Sequence, residues 1–539
     1  MLTLLLLGLA CSPEKPSAEA SSDKAVVTET SSPQRRACSG PKSRPDVVIV
    51  SIDTLRADRL GYAGYTAART PHLDALAQSG AVFSQATTPV PRTTPALASL
   101  MTGLSPHHHG AREVGEMVLA PQRLSTLLAE SGWRTVGISA MPVAGPDQDM
   151  DRGFDFFEVH ADARSEDLTR VALEQAAAVP ENCPLFLWTH FADPHFPYLP
   201  PKSWSDQPVA PKCRPVVEKA SKGKMARYKY YANRNGRSEP ILEDCSALYD
   251  AEIAYADHGV GQLLSGLAAQ GREQPIIVFT SDHGENLGEW GLFFEHGPNG
   301  HDASLRIPLV IAGPGVAPAS YSTPATLEDV APTVLQLAGV TPPDEMNFDG
   351  RSLLDRNGPA PEWIRAESGS ALHARLSDYL VAGRKHRLHC IHGPQYSLCD
   401  SPKRKNQLFN RNQDPDLKRN IFPKTTDTPE DSKLTAIGQR LRDAWKPWPI
   451  ERTRQRLIRT STHMLIATPQ VSGDYALALY DHTSDPGLLK NLLDQQPEVA
   501  AKLKPILTSW QSELDEANRP ISERTQEQEE ALRALGYIE

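Results

Sequence analysis

Pro275–Val310 reads PIIVFTSDHGENLGEWGLFFEHGPNGHDASLRIPLV, and its opening residues decide the fold. Ile276-Ile277-Val278-Phe279 is apolar throughout, too short for a helix and preceded by Pro275. A strand buried on both faces reads this way. The run stops on Asp282-His283-Gly284, and His296 and His301 follow closely. A carboxylate and an imidazole side by side at the end of a buried strand suit a divalent cation, and open parallel sheets bind ligands beyond the carboxyl ends of their strands. Taken alone, the same residues also fit a helix-capping Asp with an incidental His.

Working outward, other apolar runs end in the same chemistry. Asp46–Ser51 is a strand leading to Asp53, and Leu185-Phe186-Leu187-Trp188 runs directly into His190, Asp193 and His195. Helical patterns alternate with these strands at Leu124–Glu130, Leu168–Val179, Leu248–Leu267 and Leu327–Leu337, and further strands are predicted at Ala81–Phe83, Thr135–Ile138 and Leu305–Ile311. Such alternation predicts an α/β class with a mainly parallel sheet covered by helices on both faces. Thr94-Pro95 places Thr93 or Thr94 at the N-terminus of a helix running to Thr102, where an ordinary cap is one reading and a reactive hydroxyl another. Three strand ends bearing Asp53, His190 and Asp282/His283 would converge on one sheet edge.

The chain has 539 residues and a formal charge of −10, which argues against a general nucleic-acid binder. Residues 1–11, MLTLLLLGLAC, have the look of a bacterial lipoprotein signal ending at Cys11, and the Ser/Pro/Glu/Ala-rich stretch 12–44 reads as a tether. Export follows as the expectation, either lipid-anchored to the cell envelope or free in the periplasm or outside. Setting Cys11 aside leaves six of the seven cysteines, an even number. Strand order predicts the pairs Cys38–Cys183, Cys213–Cys245 and Cys390–Cys399 among the fifteen connectivities possible. A catalytic domain is expected over 45–360. From 361 to 539 the texture changes to antiparallel strands, with LFNRNQDPDLKRN (Leu408–Asn420) and LYDHTSDPGLLKN (Leu479–Asn491) matching in register as a duplicated strand-turn unit.

Together these segments resemble the sulfatase family of the alkaline-phosphatase-like superfamily. The resemblance rests on VVIVSIDTLRADRLGYAGY, ASLMTGL followed by HG, FLWTHFADPHFPYLPP, YDAEIAYAD, FTSDHGENLGEWGLF, LRIPLVIAGPG, LEDVAPTVLQLAGV, DGRSLL and the final ALRALGY. It implies hydrolysis of an anionic ester, with one divalent metal held by Asp53, Asp282, His283 and Thr93. Calcium is the ion the resemblance favours, and the donor set also admits magnesium, manganese or zinc. Thr93 stands at the nucleophile position, where family sulfatases carry a Cys or Ser matured to formylglycine. His195, His109 and His296 resemble catalytic or anion-contacting histidines, and Arg92 and His190 are candidate substrate contacts. The chain departs from the family pattern at three places. Thr93 carries a β-methyl and cannot yield an aldehyde, Pro95-Ala96-Leu97 lacks the usual arginine, and Ser139–Pro142 replaces Lys-Trp-His. A Thr nucleophile resembles superfamily phosphodiesterases and phosphoalcohol transferases, so transfer at the cell surface and a non-catalytic anion-binding role are the alternatives to hydrolysis.

The insert 202–245 is strongly basic, with Lys222, Lys224 and Arg227 among its cations and Tyr228, Tyr230 and Tyr231 interleaved. As a solvated loop it would have no role. As a lid near His195 it would favour a large anionic substrate such as a glycan.

Overall fold

The computed structural model describes residues 44–161, 163–202, 204, 213–220, 239–289, 293–297, 299–355, 361–369, 377–379, 388–392, 396–401, 404–410, 421–423, 428–444, 454–469 and 475–516. The first ten strands are β1 Val47–Ile52, β2 Ala81–Thr87, β3 Arg134–Ser139, β4 Phe156–Val159, β5 Leu185–Phe191, β6 Ile276–Ser281, β7 Asn286–Leu287, β8 Phe293–Glu295, β9 Leu309–Ala312 and β10 Ala319–Thr326. Eight of them form one sheet in the order β10-β2-β9-β6-β1-β5-β3-β4, in which β9 alone runs against the rest. The expected α/β class with a mainly parallel sheet is therefore what the chain adopts. The strand expected over Leu305–Ile311 is shorter, because Asp302–Leu305 is helical and Pro308, which has no N–H to give the ladder, precedes β9.

β1 lies at the centre, and its side chains alternate between two cores. Val47 and Ile49 enter one with Phe186, Trp188 and Val278, whereas Val48, Val50 and Ile52 enter the other with Leu185, Leu187 and Phe279. Both faces are thus apolar, which is why the run shows no polar alternation. Each such side chain contributes about 1.5–3 kcal/mol by burial. The helices α1 (Pro71–Ser79) and α2 (Thr93–Thr102) lie on opposite sides of the sheet. Leu73 and Leu76 of α1 join the second core, and Leu97, Leu100 and Met101 of α2 join the first. A long helix over Glu239–Ala269 packs beside α1 and a helix over Ser165–Ala177.

Beyond residue 361 come β11 Trp363–Glu367, β12 Ser377–Tyr379, β13 Leu388–His392, β14 Tyr396–Ser401, β15 Arg404–Asn410, β16 Arg456–Thr460, β17 His463–Pro469 and β18 Tyr475–Asp481. They form two four-stranded antiparallel sheets, β12-β13-β14-β15 and β11-β16-β17-β18. The two matching segments begin on the last strand of each. They also close alike: Ile421 N–H donates to the Leu408 carbonyl at 2.8 Å and Leu492 N–H to the Leu479 carbonyl at 2.7 Å. Cys213 and Cys245 are bonded, and Cys183 is also in a disulfide, while Cys38 lies outside the described residues. The backbone sets Cys390 opposite Cys399 across β13 and β14.

Arg454, just before β16, and Arg459, within it, fasten the C-terminal part to the catalytic domain. Arg454, Arg456 and Arg459 are fully buried. Arg459 grips Asp302 through Nε and Nη2 at 3.2 and 3.1 Å. Arg454 donates to Glu113 Oε1 at 2.9 Å and to the carbonyls of Arg112 and Ser368. Buried pairs of this kind lose much of their Coulomb gain to desolvation, so their effect here is to fix one docking geometry. That geometry reaches the nucleophile helix, since Glu113 Oε2 also stands 3.9 Å from Nε of Arg92.

One carboxyl near this seam makes stability pH-dependent. Burial pushes Glu328 up to about 8 from an ordinary 4.5. Between those values the folded chain keeps a proton that the unfolded chain has released. Stability therefore falls as pH rises from 4.5 towards 8, by at most about 1.4 kcal/mol per pH unit. Glu328→Gln keeps an acceptor for Thr326 and removes this carboxyl's share of the slope. Thermal melts should show the variant more stable than the parent near pH 8 and equal to it near pH 4.5.

Candidate active site

The site is assembled at the carboxyl ends of β1, β5 and β6. Register pairs Ser51 with His190 and Ile52 with both Phe191 and Ser281, so Asp53 and Asp282 emerge at one level, with His190 two residues short of it on β5. Asp53, Asp282 and His283 are fully buried, and one donor atom from each lies within 4.8 Å of the others. The turn carrying Asp53 is held in an uncommon shape: Thr54 has φ of 54°, and its carbonyl accepts from the Tyr249 hydroxyl at 2.7 Å. A left-handed threonine costs about 1–3 kcal/mol and persists where its surroundings over-determine it. What it secures is the Thr54 N–H, which donates to Asp282 Oδ1 at 3.1 Å.

The unpaired atoms of this cluster test whether a cation belongs there. Asp282 Oδ1 accepts from two backbone N–H groups, those of Thr54 and His283, whereas Oδ2 has no hydrogen-bond donor among the described residues. Neither oxygen of Asp53 has one. Burial, together with the carboxylates of Asp282 and Glu285, holds Asp53 well above the usual range, and burial lifts Asp282 to about 6. His283 Nδ1–H donates to the Gly284 carbonyl at 3.0 Å, which leaves the Nε2 lone pair facing Asp282 Oδ2 at 3.2 Å and Thr93 Oγ1 at 3.4 Å. Burial keeps that ring neutral, with its pKa down at about 3. Three carboxylate oxygens without a donor among the described residues converge with the Nε2 lone pair of His283, which faces the Thr93 hydroxyl. That is a donor set for a divalent cation, and the residues fit it.

Thr93 is the first residue of α2 and fully buried, with Arg92 as the cap preceding it. Thr94 locks the turn by donating to the Val143 carbonyl at 2.7 Å while accepting from Gly115 N–H at 2.9 Å. Pro95 removes an N–H that the first helical turn could not have paired. The Thr93 hydroxyl is thereby fixed at the positive end of a helix, a favourable place for an anion. Arg92 Nη1 donates to the His296 carbonyl at 3.2 Å. Room for its guanidinium exists because residue 297 is glycine at φ of 94°: a Cβ there would meet Arg92 Cζ at 2.2 Å.

Three imidazoles line up beside this. The ring centroids of His283 and His296 are 4.3 Å apart, and those of His296 and His195 5.5 Å. Glu285 stands behind them, with Oε1 3.3 Å from His296 Nδ1 and Oε2 accepting from the Tyr198 hydroxyl at 3.2 Å. Glu285 was not singled out from the sequence, although its place after Asp282-His283-Gly284 made it findable.

Other expected residues lie elsewhere. His190 is fully enclosed, with Nδ1 2.9 Å from Ser51 Oγ and Nε2 3.5 Å from Asp53 Oδ2. It stands beside Asp53 near the end of β5. Asp193 is not in the cluster; it accepts from Arg164 and from the N–H and hydroxyl of Ser165, capping a helix. His109 turns back against α2, with Nε2 3.1 Å from Ser99 Oγ and Nδ1 accepting from Ala111 N–H at 3.2 Å. Lys222, Lys224 and Arg227 lie outside the described residues, as does most of the insert 202–245.

Fold and site together define a hydrolase of the alkaline-phosphatase-like kind. The sulfatase family profile matches residues 45–340, more than half of the chain, and the chain belongs to the sulfatase family, hydrolases of sulfate and phosphate esters. It is 25% identical over 447 residues to an ulvan-active sulfatase of Formosa agariphila, covering 75% of this chain and 83% of that one. A choline-sulfatase of Rhizobium meliloti is 26% identical over 352 residues, 55% of this chain and 68% of the relative. Among solved structures, the phosphonate monoester hydrolase of Silicibacter pomeroyi shares the fold with a TM-score of 0.59 at 18% identity, covering 88% of this chain and 96% of that one.

Proposed function

We propose that this protein hydrolyses a sulfate or phosphate ester by direct attack of the Thr93 hydroxyl, without formylglycine. The observation that carries the reading is the place of Thr93 Oγ1, 3.4 Å from Nε2 of His283 and at a helix N-terminus. Asp53, Asp282, His283 and Thr93 would hold a divalent cation, which when bound supplies positive charge to an anionic ester and makes the hydroxyl more acidic. The chain's own groups do the rest. Arg92 and the N-terminus of α2 bind the non-bridging oxygens. Thr93 gives its hydroxyl proton to water, and its oxygen forms a bond to sulfur or phosphorus as the bond to the leaving oxygen breaks and that oxygen takes up a proton. His296, oriented by Glu285, and its neighbour His195 are the acids within reach of that oxygen. Water then cleaves the Thr93 ester and regenerates the hydroxyl.

The likeness to an ulvan-active sulfatase and the basic insert favour an anionic glycan as substrate. The signal-like start and the Cys213–Cys245 bond support export. Purified protein should turn over members of a panel of aryl sulfates, phosphodiesters, phosphonate monoesters and sulfated oligosaccharides when a divalent cation is added. Product analysis with and without an added alcohol separates hydrolysis from transfer. Metal binding with no turnover across the panel would overturn the reading.

A further inference from the structure

Arg92 stands just before the nucleophile, and its guanidinium reaches the carbonyl of His296. Two glycines lie against it. Gly297, in the catalytic domain, abuts the guanidinium end. Gly369, just past β11 in the C-terminal part, abuts the stem: a Cβ added there would meet Arg92 Nε at 2.5 Å, Cγ at 3.0 Å and Cδ at 3.3 Å. Gly369 is buried, and its φ lies outside the left-handed region, so its backbone conformation is open to any residue. What a side chain at 369 would disturb is the space Arg92 occupies. The arginine itself is not sealed off, since 18% of its side-chain surface is exposed.

The backbone that carries these glycines is pinned, and one residue ties both segments together. Gln455 Oε1 accepts from the Gly300 N–H at 2.9 Å, three residues after Gly297. The backbone of Gln455 meets the residue before Gly369: Ser368 N–H donates to the Gln455 carbonyl at 2.9 Å, and Gln455 N–H donates to Ser368 Oγ at 3.0 Å. Arg454 donates to the Ser368 carbonyl at 3.1 Å. Glu367 N–H donates to the carbonyl of Pro89 at 2.8 Å, which joins the end of β11 to the segment leading into Arg92. With the backbone at 368–369 held from several sides, the group that yields to a Cβ at 369 is the long arginine side chain, which has other rotamers to go to. Moved off its present course, Arg92 loses its bond to the His296 carbonyl and its place beside Thr93.

We propose that Gly369 is a positioning residue for the ester site: by lacking a side chain it sets the course of Arg92, and the C-terminal part completes the anion-binding end of the site through it. The inference rests on the role given above to Arg92 in binding the non-bridging oxygens. Calorimetry of inorganic sulfate and inorganic phosphate binding to the whole protein, with magnesium, manganese and calcium present in turn, tests it without a known substrate. At least one anion should bind the parent, and Arg92→Ala should weaken it about tenfold or more, the scale of a lost charge-assisted hydrogen bond. Gly369→Ala should weaken it about tenfold as well. The double variant Arg92→Ala/Gly369→Ala should bind no worse than Arg92→Ala, because the glycine acts only through the arginine. Melting temperatures carry the same comparison if Gly369→Ala folds poorly: removing Arg92 relieves the clash, so the double variant should melt above Gly369→Ala. If neither anion binds the parent, or Arg92→Ala binds both as the parent does, the role of Arg92 in ester binding fails and this inference falls with it. Three outcomes overturn the inference alone: Arg92→Ala loses affinity while Gly369→Ala keeps it; the two losses multiply in the double variant; or a poorly folding Gly369→Ala is not rescued by Arg92→Ala.

Discussion

Thr93→Ala is expected to reduce turnover of any ester the protein hydrolyses by about 10⁴-fold or more, which is the scale of losing a nucleophile. Thr93→Ser should retain much of the activity, because it keeps the hydroxyl at the same point of α2 and loses only a methyl. The pair of variants separates chemistry from packing. Thr93 is fully buried, so a general packing defect would lower the melting temperature in both variants, whereas loss of the nucleophile stops turnover in one alone. Mass spectrometry of the peptide spanning Thr93 in active protein should find an unmodified threonine. Equal activity of Thr93→Ala and the parent would remove the proposed mechanism. An aldehyde at a neighbouring residue would do so as well.

The second large effect concerns the cation. In its absence, Asp53 and Asp282 are buried carboxylates with three unpaired oxygens and like charge between them. A divalent ion should therefore raise the melting temperature strongly. At a concentration a hundredfold above its dissociation constant the gain is about 2.7 kcal/mol, or several degrees for a protein of this size. Asp53→Asn should shift in two opposite ways: the metal-free form melts higher than the metal-free parent, because a carboxyl that burial makes costly to ionise has been removed, and added metal no longer stabilises it. Asp282→Asn should lose the metal response too while keeping an acceptor for the N–H groups of Thr54 and His283. Titrations with calcium, magnesium, manganese and zinc followed by thermal melts check all of this without an activity assay. An unchanged metal response in Asp53→Asn would rule out the assigned ligand set.

Much of this site was legible in the sequence because each part of it is local. A strand buried on both faces shows as an unbroken apolar run, and the residue after its last turn of pleat must emerge at the sheet edge. Asp53 and Asp282 are each the third residue after such a run and His283 the fourth, so they were findable without knowing the strand order. Thr93 announced itself through Thr94-Pro95, since proline belongs in a first helical turn. The α/β class followed from alternation alone, and the change after residue 361 from strands without intervening helices.

What only the tertiary structure decided is the direction of side chains and the partners that come from far along the chain. His190 and Asp193 follow one strand closely, yet one ring stands beside Asp53 and the other group caps a helix, a choice made by pleat and by where Arg164 and Ser165 lie. His109 sits in a histidine-rich run whose sequence gives no sign that a four-residue helix turns its ring onto Ser99. Arg454 reaches Glu113 across 341 residues, and Arg365 comes between Trp363 and Trp510 only when the helix over Pro497–Glu516 docks on the sheet of β16 and β17. Periodicity records which face of an element is buried, because burial selects residue type at every turn. It does not record which distant element covers that face, because many apolar surfaces satisfy the same pattern and close packing selects one.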